Sequence, residues 1–209
     1  MAGGAVHLCM TSPQNPLRFY FFLRSPYVWL AAEQLTRDGI EVEPIPMVGF
    51  AEGTVFADPA ANPPRMAYLI EDIARLAERM NLTLAPPVDI EDWMPVHNVA
   101  ELAKRKGKGL AFAQMAGRAR WTRSLSLEDP QVIADVAGDV GLDVQEAEAA
   151  MTDAQIRADM VTAYRPLIEK DQVFGVPFFA FDAGGKTHRY WGQDRIGMMV
   201  DDARERGVL

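Results

Sequence analysis

The sequence predicts an α/β fold carrying a large helical insertion, and three observations predict it. The opening segment reads strand–helix–strand. The closing segment reads strand–turn–strand–helix. Residues 64–150, between the two, read as helices joined by short extended stretches. Strand-rich ends separated by a helical block describe one sheet assembled from both ends of the chain.

Taken in order, residues 17–23 (LRFYFFL) form a short apolar, aromatic run of the kind a buried strand shows. Ser25-Pro26 follows, a good N-cap with Pro at the first helical position. Val28, Leu30, Ala31 and Leu35 give the helix its apolar positions, and Gly39 is a fitting stop. Residues 40–48 (IEVEPIPMV) alternate like a strand, with Pro44 and Pro46 marking an edge or an irregular end. The opening is therefore a βαβ unit of the right-handed type. Residues 49–63 are loop-like, and from Arg65 to about Met80 one apolar face carries Met66, Leu69, Ile70, Ile73, Leu76 and Ala77.

Residues 81–95 are extended and proline-bearing. Residues 97–123 read as one or two helices broken at Gly107 and Gly109. Ser126 to Val140 reads as a further helix, and Gly141-Leu142-Asp143 opens the next. Asp143 or Thr152 then caps helical stretches that reach Lys170. FGVPFFAFD (174–182) is a turn and a strand, Ala183-Gly184-Gly185 a hairpin turn, and Lys186–Trp191 its partner strand. Residues 192–195 lead into a last helix at 195–205. A thioredoxin-like sheet fits this order. The expected organisation is a flexible tail at 1–16, a thioredoxin-like domain from 17–63 and 151–209, and a helical insertion domain at 64–150.

Composition narrows the chemistry. The 209 residues are 49% hydrophobic and carry a formal charge of −8. Such a surface repels phosphate backbones, so nucleic acid is not an expected partner. An anionic small ligand would need a local positive site set against that field. Cys9, the one cysteine, excludes an internal disulfide framework and a multi-cysteine zinc site. His7, His97 and His188 show no ligand spacing, so no metal is expected. No apolar run reaches the roughly 20 residues of a membrane span, and the first residues lack the basic start and apolar stretch of an export signal. The expected setting is cytoplasmic, with no membrane partner.

Three segments carry candidate chemistry. Arg24-Ser25-Pro26-Tyr27 lies at a strand-to-helix turn, where free N–H groups and a partial positive charge lower the pKa of a thiol held there. Ser25 is able to donate a hydrogen bond to such a sulfur, although a cap is the commoner use of Ser-Pro. In Phe174-Gly175-Val176-Pro177, a Pro at the start of a core strand either is a simple trans residue or forms a cis Val176–Pro177 bond. The cis form would leave the Val176 amide and carbonyl free for a peptide-like ligand. In Gly192-Gln193-Asp194-Arg195, Asp194 either caps the helix or binds a ligand ammonium group. Arg65, Tyr68, Asp72 and Arg75 share a helical face that is either solvated and salt-bridged or a carboxylate site through Arg65. His97-Asn98 reads as a helix start with a capping role, and Trp93, Trp121 and Met115 read as core.

In combination, FYFFLRSPYVWLA, FGVPFFAFD and YWGQDRIGMM, with looser matches through RMAYLIEDIARLAERMNL and RARWTRSLSLEDPQVIADVAGDVGLD, resemble the 2-hydroxychromene-2-carboxylate isomerase family. That family belongs with kappa-class glutathione transferases and DsbA-like oxidoreductases, and the resemblance covers nearly the whole chain after residue 16. It implies that Ser25 binds and activates the sulfur of glutathione. It also implies that Val176, before a cis Pro177, pairs with the tripeptide backbone, and that Gln193 and Asp194 hold its γ-glutamyl end. The substrate half falls to Arg65, Tyr68, Tyr27, His97 and Asn98. The implied reaction is a glutathione-dependent cis/trans isomerisation in aromatic catabolism, from a chromene carboxylate to a benzylidenepyruvate, by reversible thiolate addition, rotation and elimination. A homodimer is implied by analogy.

Three stretches depart from the family pattern. Ala61-Asn62-Pro63-Pro64-Arg65 is shorter than the family loop and has Arg65 for Lys; His97-Asn98 replaces Asn-Thr/Ser; and Phe178 follows the proline where Thr is common. All three lie on the substrate side. A kappa-like transferase or lyase acting on another electrophile is the second reading, and a non-catalytic thioredoxin-fold binding module the third. Thiol–disulfide exchange is disfavoured, because Ser25 and Val28 stand where a C-x-x-C pair would be.

Overall fold

The structure is a computed structural model that describes residues 16–55, 58 and 61–209. The expected tail, with His7 and Cys9, lies outside the described residues apart from Pro16.

Both ends of the chain meet in one four-stranded sheet of order β2-β1-β3-β4. Strand β1 (Arg18–Phe21) runs parallel to β2 (Glu43–Pro46), pairing Arg18 with Glu43 and Phe21 with Pro46. On its other side β1 runs antiparallel to β3 (Phe178–Ala183), pairing Arg18 with Ala180 and Tyr20 with Phe178. The hairpin closes with β4 (Lys186–Trp191). The two prolines of β2 sit on an edge strand, where a missing N–H is tolerated. Every residue of β1 is buried, and the Phe19 and Phe179 rings stack across the β1–β3 pair at 5.2 Å.

Helix α1 (Pro26–Arg37) joins β1 to β2. Between β2 and the long helix α7 (Ala154–Asp171) lie α2 (Pro63–Arg79), α3 (Met94–Arg105), α4 (Gly109–Arg123), α5 (Pro130–Asp139) and α6 (Val144–Met151). A 3₁₀ turn (Gln193–Arg195) leads into α8 (Ile196–Glu205). The helix expected from Ser126 starts instead at Pro130 with Asp129 as its cap, because the residue before a proline is pushed out of helical geometry. Asp153, not Thr152, caps α7, its carboxylate accepting from Gln155 N at 2.7 Å. An anion at that position also answers the positive helix end.

The helical block is bolted to the sheet domain through α1. Gly117 of α4 lies so close to Trp29 that a Cβ would fall 2.5 Å from the indole. Glu33, 5% exposed, accepts from Trp29 Nε1 at 3.0 Å, Gln114 Nε2 at 2.7 Å and both faces of the Arg118 fork at 2.5 and 2.7 Å. Burial opposes the charge on Glu33, but those donors outweigh it and hold the carboxyl below its usual range. The basic run at 104–108 closes α3, with Arg105, Lys106 and Gly107 exposed and Lys104 half-buried. Lys104 donates to Glu43 and to the Tyr164 hydroxyl, both at 2.9 Å, and so pins α3 to β2 and α7. One apolar core runs from Phe19, Phe21 and Phe179 into Val99, Phe112 and Ile133 of the helices.

Candidate functional site

The chain leaves β1 at Phe21, turns at once, and enters α1 at Pro26. Ser25 N donates to Phe22 O at 3.0 Å, and Ser25 O takes Val28 N at 3.1 Å. Ser25 is extended (φ −82°, ψ 123°), as an N-cap should be, but its side chain makes no capping hydrogen bond. The backbone thus caps, while the hydroxyl of half-buried Ser25 has no hydrogen-bond partner among the described residues at the positive end of a 12-residue helix. Beneath the turn, Leu23 N donates to His97 Nε2 at 3.3 Å, and the His97 ring lies 4.4 Å from that of Phe22. Burial lowers His97 to about 3, so the imidazole is neutral and serves as an acceptor.

The Val176–Pro177 peptide is cis. The pairing of Tyr20 with Phe178 brings the exit of β1 and the entry of β3 to the same end of the sheet. Ser25 lies four residues beyond Phe21 and Pro177 one residue before Phe178, so both stand at that end. Among the described residues, neither the amide nor the carbonyl of Val176 enters a backbone hydrogen bond. The Pro177 carbonyl accepts from Gly192 N at 3.0 Å, which fastens the 3₁₀ turn beside it. Gly192 (φ 109°) occupies backbone space that other residues rarely adopt, and a Cβ there would fall 2.5 Å from Asp194 Oδ1.

Gln193 and Asp194 of that turn face different ways. Gln193 Nε2 donates to Gln34 Oε1 at 2.8 Å, near the far end of α1. Asp194 is no cap, since Gly192 holds the capping position; its carboxylate is 64% exposed and meets Arg195 at 3.0 Å. An exposed carboxylate beside an exposed guanidinium is weakly held and open to a competing ammonium group.

The residues expected on the substrate side are dispersed. The Tyr27 hydroxyl donates to Asp72 Oδ2 at 2.9 Å; burial first, and then this contact, raise its pKa. Asp72 also pairs with Arg75 at 2.9 Å, so this part of the α2 face is the salt-bridged one, while Tyr68 stands 60% exposed on the same helix. Arg65 is exposed in the first turn, its amide donating to the Asn62 cap at 3.1 Å. His97 and Asn98 lie inside α3, whose cap is Trp93, so neither caps it. Asn98 is buried and donates to the carbonyls of Met151 and Asp153 at 3.3 and 3.2 Å. The structure therefore brings Ser25, Val176, Pro177 and the 192–194 turn to one end of the sheet, and leaves Tyr68 and Arg65 on α2, His97 beneath the turn and Asn98 against the α6–α7 junction.

Sequence reasoning missed two features. Phe174 (49% exposed) and Trp191 (53%) meet edge-on at 5.1 Å and, with Arg189, line a concavity of about 380 Å³ beside the 174–178 segment. None of Ser25, Gln193 or Asp194 lines it. The signal was the aromatic residue on either side of Gly175-Val176-Pro177. The second is Arg120, buried between Trp93 and Trp121, for which a helix-face reading held no cue. Among the described residues no cluster of His, Cys, Asp and Glu is able to hold a metal, and no helix is long and apolar enough to cross a membrane.

These elements define a thioredoxin-type domain with a helical insertion, and residues 17–203 match the DSBA-like thioredoxin domain. The chain belongs to that family. The chain is 21% identical to human glutathione S-transferase kappa 1, over 90% of both chains. A solved 2-hydroxychromene-2-carboxylate isomerase superposes with a TM-score of 0.72 at 19% identity, covering 90% of this chain and 94% of the other. A probable DsbA oxidoreductase from Streptomyces coelicolor superposes with a TM-score of 0.71 at 20% identity, covering 92% and 90%.

Proposed function

We propose that this protein is a glutathione-dependent isomerase acting on an aromatic-derived carboxylate such as 2-hydroxychromene-2-carboxylate. The observation that carries this reading is the Ser25 hydroxyl, free of capping duty at the start of α1, on the sheet end that also holds the unengaged Val176 backbone. Ser25 donates a hydrogen bond to an anionic sulfur, and the N-terminus of α1 adds its dipole. Val176 offers one donor and one acceptor, the pairing a tripeptide backbone needs. Asp194 takes the γ-glutamyl ammonium group, and Gln193 supports that end. Bound glutathione supplies a nucleophilic thiolate for reversible addition to a conjugated double bond. The chain's own task is to keep that sulfur ionised near neutral pH and to aim it. We place the reaction in the cytoplasm, in aromatic catabolism, with the protein a homodimer and Arg65, Tyr68, Tyr27, His97 and Asn98 around or beneath the substrate.

Incubation with glutathione and 2-hydroxychromene-2-carboxylate, followed by the absorbance of the benzylidenepyruvate, tests the reading. Glutathione-dependent turnover supports it; no turnover, with conjugation of 1-chloro-2,4-dinitrobenzene, supports a kappa-like transferase instead. The likeness to human glutathione S-transferase kappa 1 over nine-tenths of the chain favours that second reading. No heat of glutathione binding by calorimetry would leave only a binding module. Disulfide exchange does not fit residues 25–28, which read Ser-Pro-Tyr-Val and hold no thiol.

A further inference from the structure

Arg120 of α4 is 5% exposed, yet among the described residues it has no carboxylate partner. Its Nη1 donates to the Val88 carbonyl at 2.5 Å, and its Nε is buried without an acceptor. The neighbouring Trp121 Nε1 is likewise buried and unanswered. Both groups only donate, so the cluster lacks acceptors. The guanidinium is flanked by the rings of Trp93 at 5.0 Å and Trp121 at 5.1 Å. A buried cation with no counter-ion is costly, and an arginine fork fits a carboxylate in two-point geometry.

The cluster adjoins the candidate site. Trp93 lies 5.6 Å from the ring of Phe22, whose carbonyl accepts the Ser25 amide. Trp121 packs in one apolar cluster with Trp29 and Leu30 of α1, with Tyr27 against it. Burial first, and then the Arg24 charge, lower Arg120 to about 10, so a second cation stands near it; Asp89 opposes the shift without forming an ion pair. Arg24 is paired with Asp58 at 2.9 Å, so Arg120 itself is the local positive site that an anionic substrate needs on a chain of net charge −8.

We propose that the Arg120 guanidinium, held between Trp93 and Trp121 beside the Phe22–Ser25 turn, binds the carboxylate of the organic substrate. The inference rests on the proposed function and deepens it: Arg120 recognises the acid, the two indoles wall the aromatic part, and Ser25 addresses the sulfur. The 82–93 segment is tied to the end of α4 by Ala85 N to Trp121 O at 2.7 Å and by Ser124 Oγ to Pro86 O at 2.7 Å.

The test titrates the full chain calorimetrically with trans-benzylidenepyruvate and with the neutral trans-benzylideneacetone, each with and without glutathione. The wild type is expected to bind the acid at least tenfold tighter than the ketone. Arg120→Met should lose that preference, weakening the acid at least tenfold and the ketone less than twofold, and Arg120→Lys should fall between. Equal acid affinity in wild type and Arg120→Met, or equal loss of both probes in a folded variant, overturns the proposal. Should Arg120→Met fail to fold, the lysine variant decides: an unchanged preference for the acid with the charge kept but the fork removed overturns two-point binding. Absence of glutathione binding would sink the proposed function, while the acid-against-ketone comparison made without glutathione still reads Arg120.

Discussion

Gly192 donates its backbone amide to the carbonyl of Pro177 at 3.0 Å. Through this bond the turn carrying Gln193 and Asp194 and the peptide following Val176 form one unit. The residues expected at two parts of a single tripeptide ligand are therefore mechanically joined, and the antiparallel pairing of β1 with β3 sets that unit at the sheet end where α1 begins.

Replacing Ser25 with Ala is expected to lower glutathione-dependent turnover by roughly 10²-fold, the scale of losing one donor to a developing anion. Stability should change by less than about 0.5 kcal/mol, because the hydroxyl makes no capping bond to lose. Turnover assays and urea denaturation on the same preparation check both; full activity in the variant removes Ser25 from the chemistry.

Asp194→Ala is expected to raise the Michaelis constant for glutathione about tenfold, as loss of one charge-assisted hydrogen bond requires. Its carboxylate is 64% exposed, so the fold should not register the change. A Michaelis constant within twofold of the wild type would exclude it from the γ-glutamyl end.

His97 makes stability depend on pH. Its folded value is lowered to about 3 by burial, against about 6.5 in an unfolded chain. Between those values the unfolded state binds the extra proton, so the contribution is complete above pH 6.5 and is lost as pH falls. The expected slope is about 1.4 kcal/mol per pH unit between pH 6 and 4. His97→Gln keeps an acceptor for Leu23 N but does not titrate, and urea denaturation at pH 7.5, 6 and 5 should show a flatter profile. An identical slope in the variant would mean that other groups carry the acid sensitivity.

Asp171 is fully buried at the end of α7 and accepts from Arg18 Nε at 2.6 Å, Arg18 Nη2 at 3.1 Å and Tyr20 OH at 2.6 Å. Asp171→Ala strands a buried arginine whose remaining partner is Asp182 at 2.9 Å. A loss of about 3–5 kcal/mol is expected on the scale of broken buried pairs, read as a lowered urea midpoint. A loss below about 1 kcal/mol would show that Arg18 relaxes onto Asp182.

Much of the fold was legible along the chain. The aromatic run at 17–23, Ser25-Pro26, the prolines of residues 40–48 and the Gly184-Gly185 turn each signal a local geometry, and the structure has β1, α1, edge strand β2 and the β3–β4 hairpin in those places. The cis state of Val176–Pro177 was one of two readings, and the structure adopts it. Boundaries at Asp129 and Asp153 were missed because a serine or threonine nearby offered a competing cap of similar chemistry.

The sequence by itself determined the periodicities, the turns and the chemical character of residues 24–27, 174–177 and 192–195, since these depend on neighbours within a few positions. Only the tertiary structure decided that Ser25's hydroxyl is free of capping, that His97 lies under the turn and Asn98 against the α6–α7 junction, and that Arg120 is buried with no carboxylate partner among the described residues. Those facts follow from close packing between segments distant along the chain, such as α4 against α1 at Gly117 and Trp29. Periodicity says that a face is covered; which atoms cover it is settled by the folded packing.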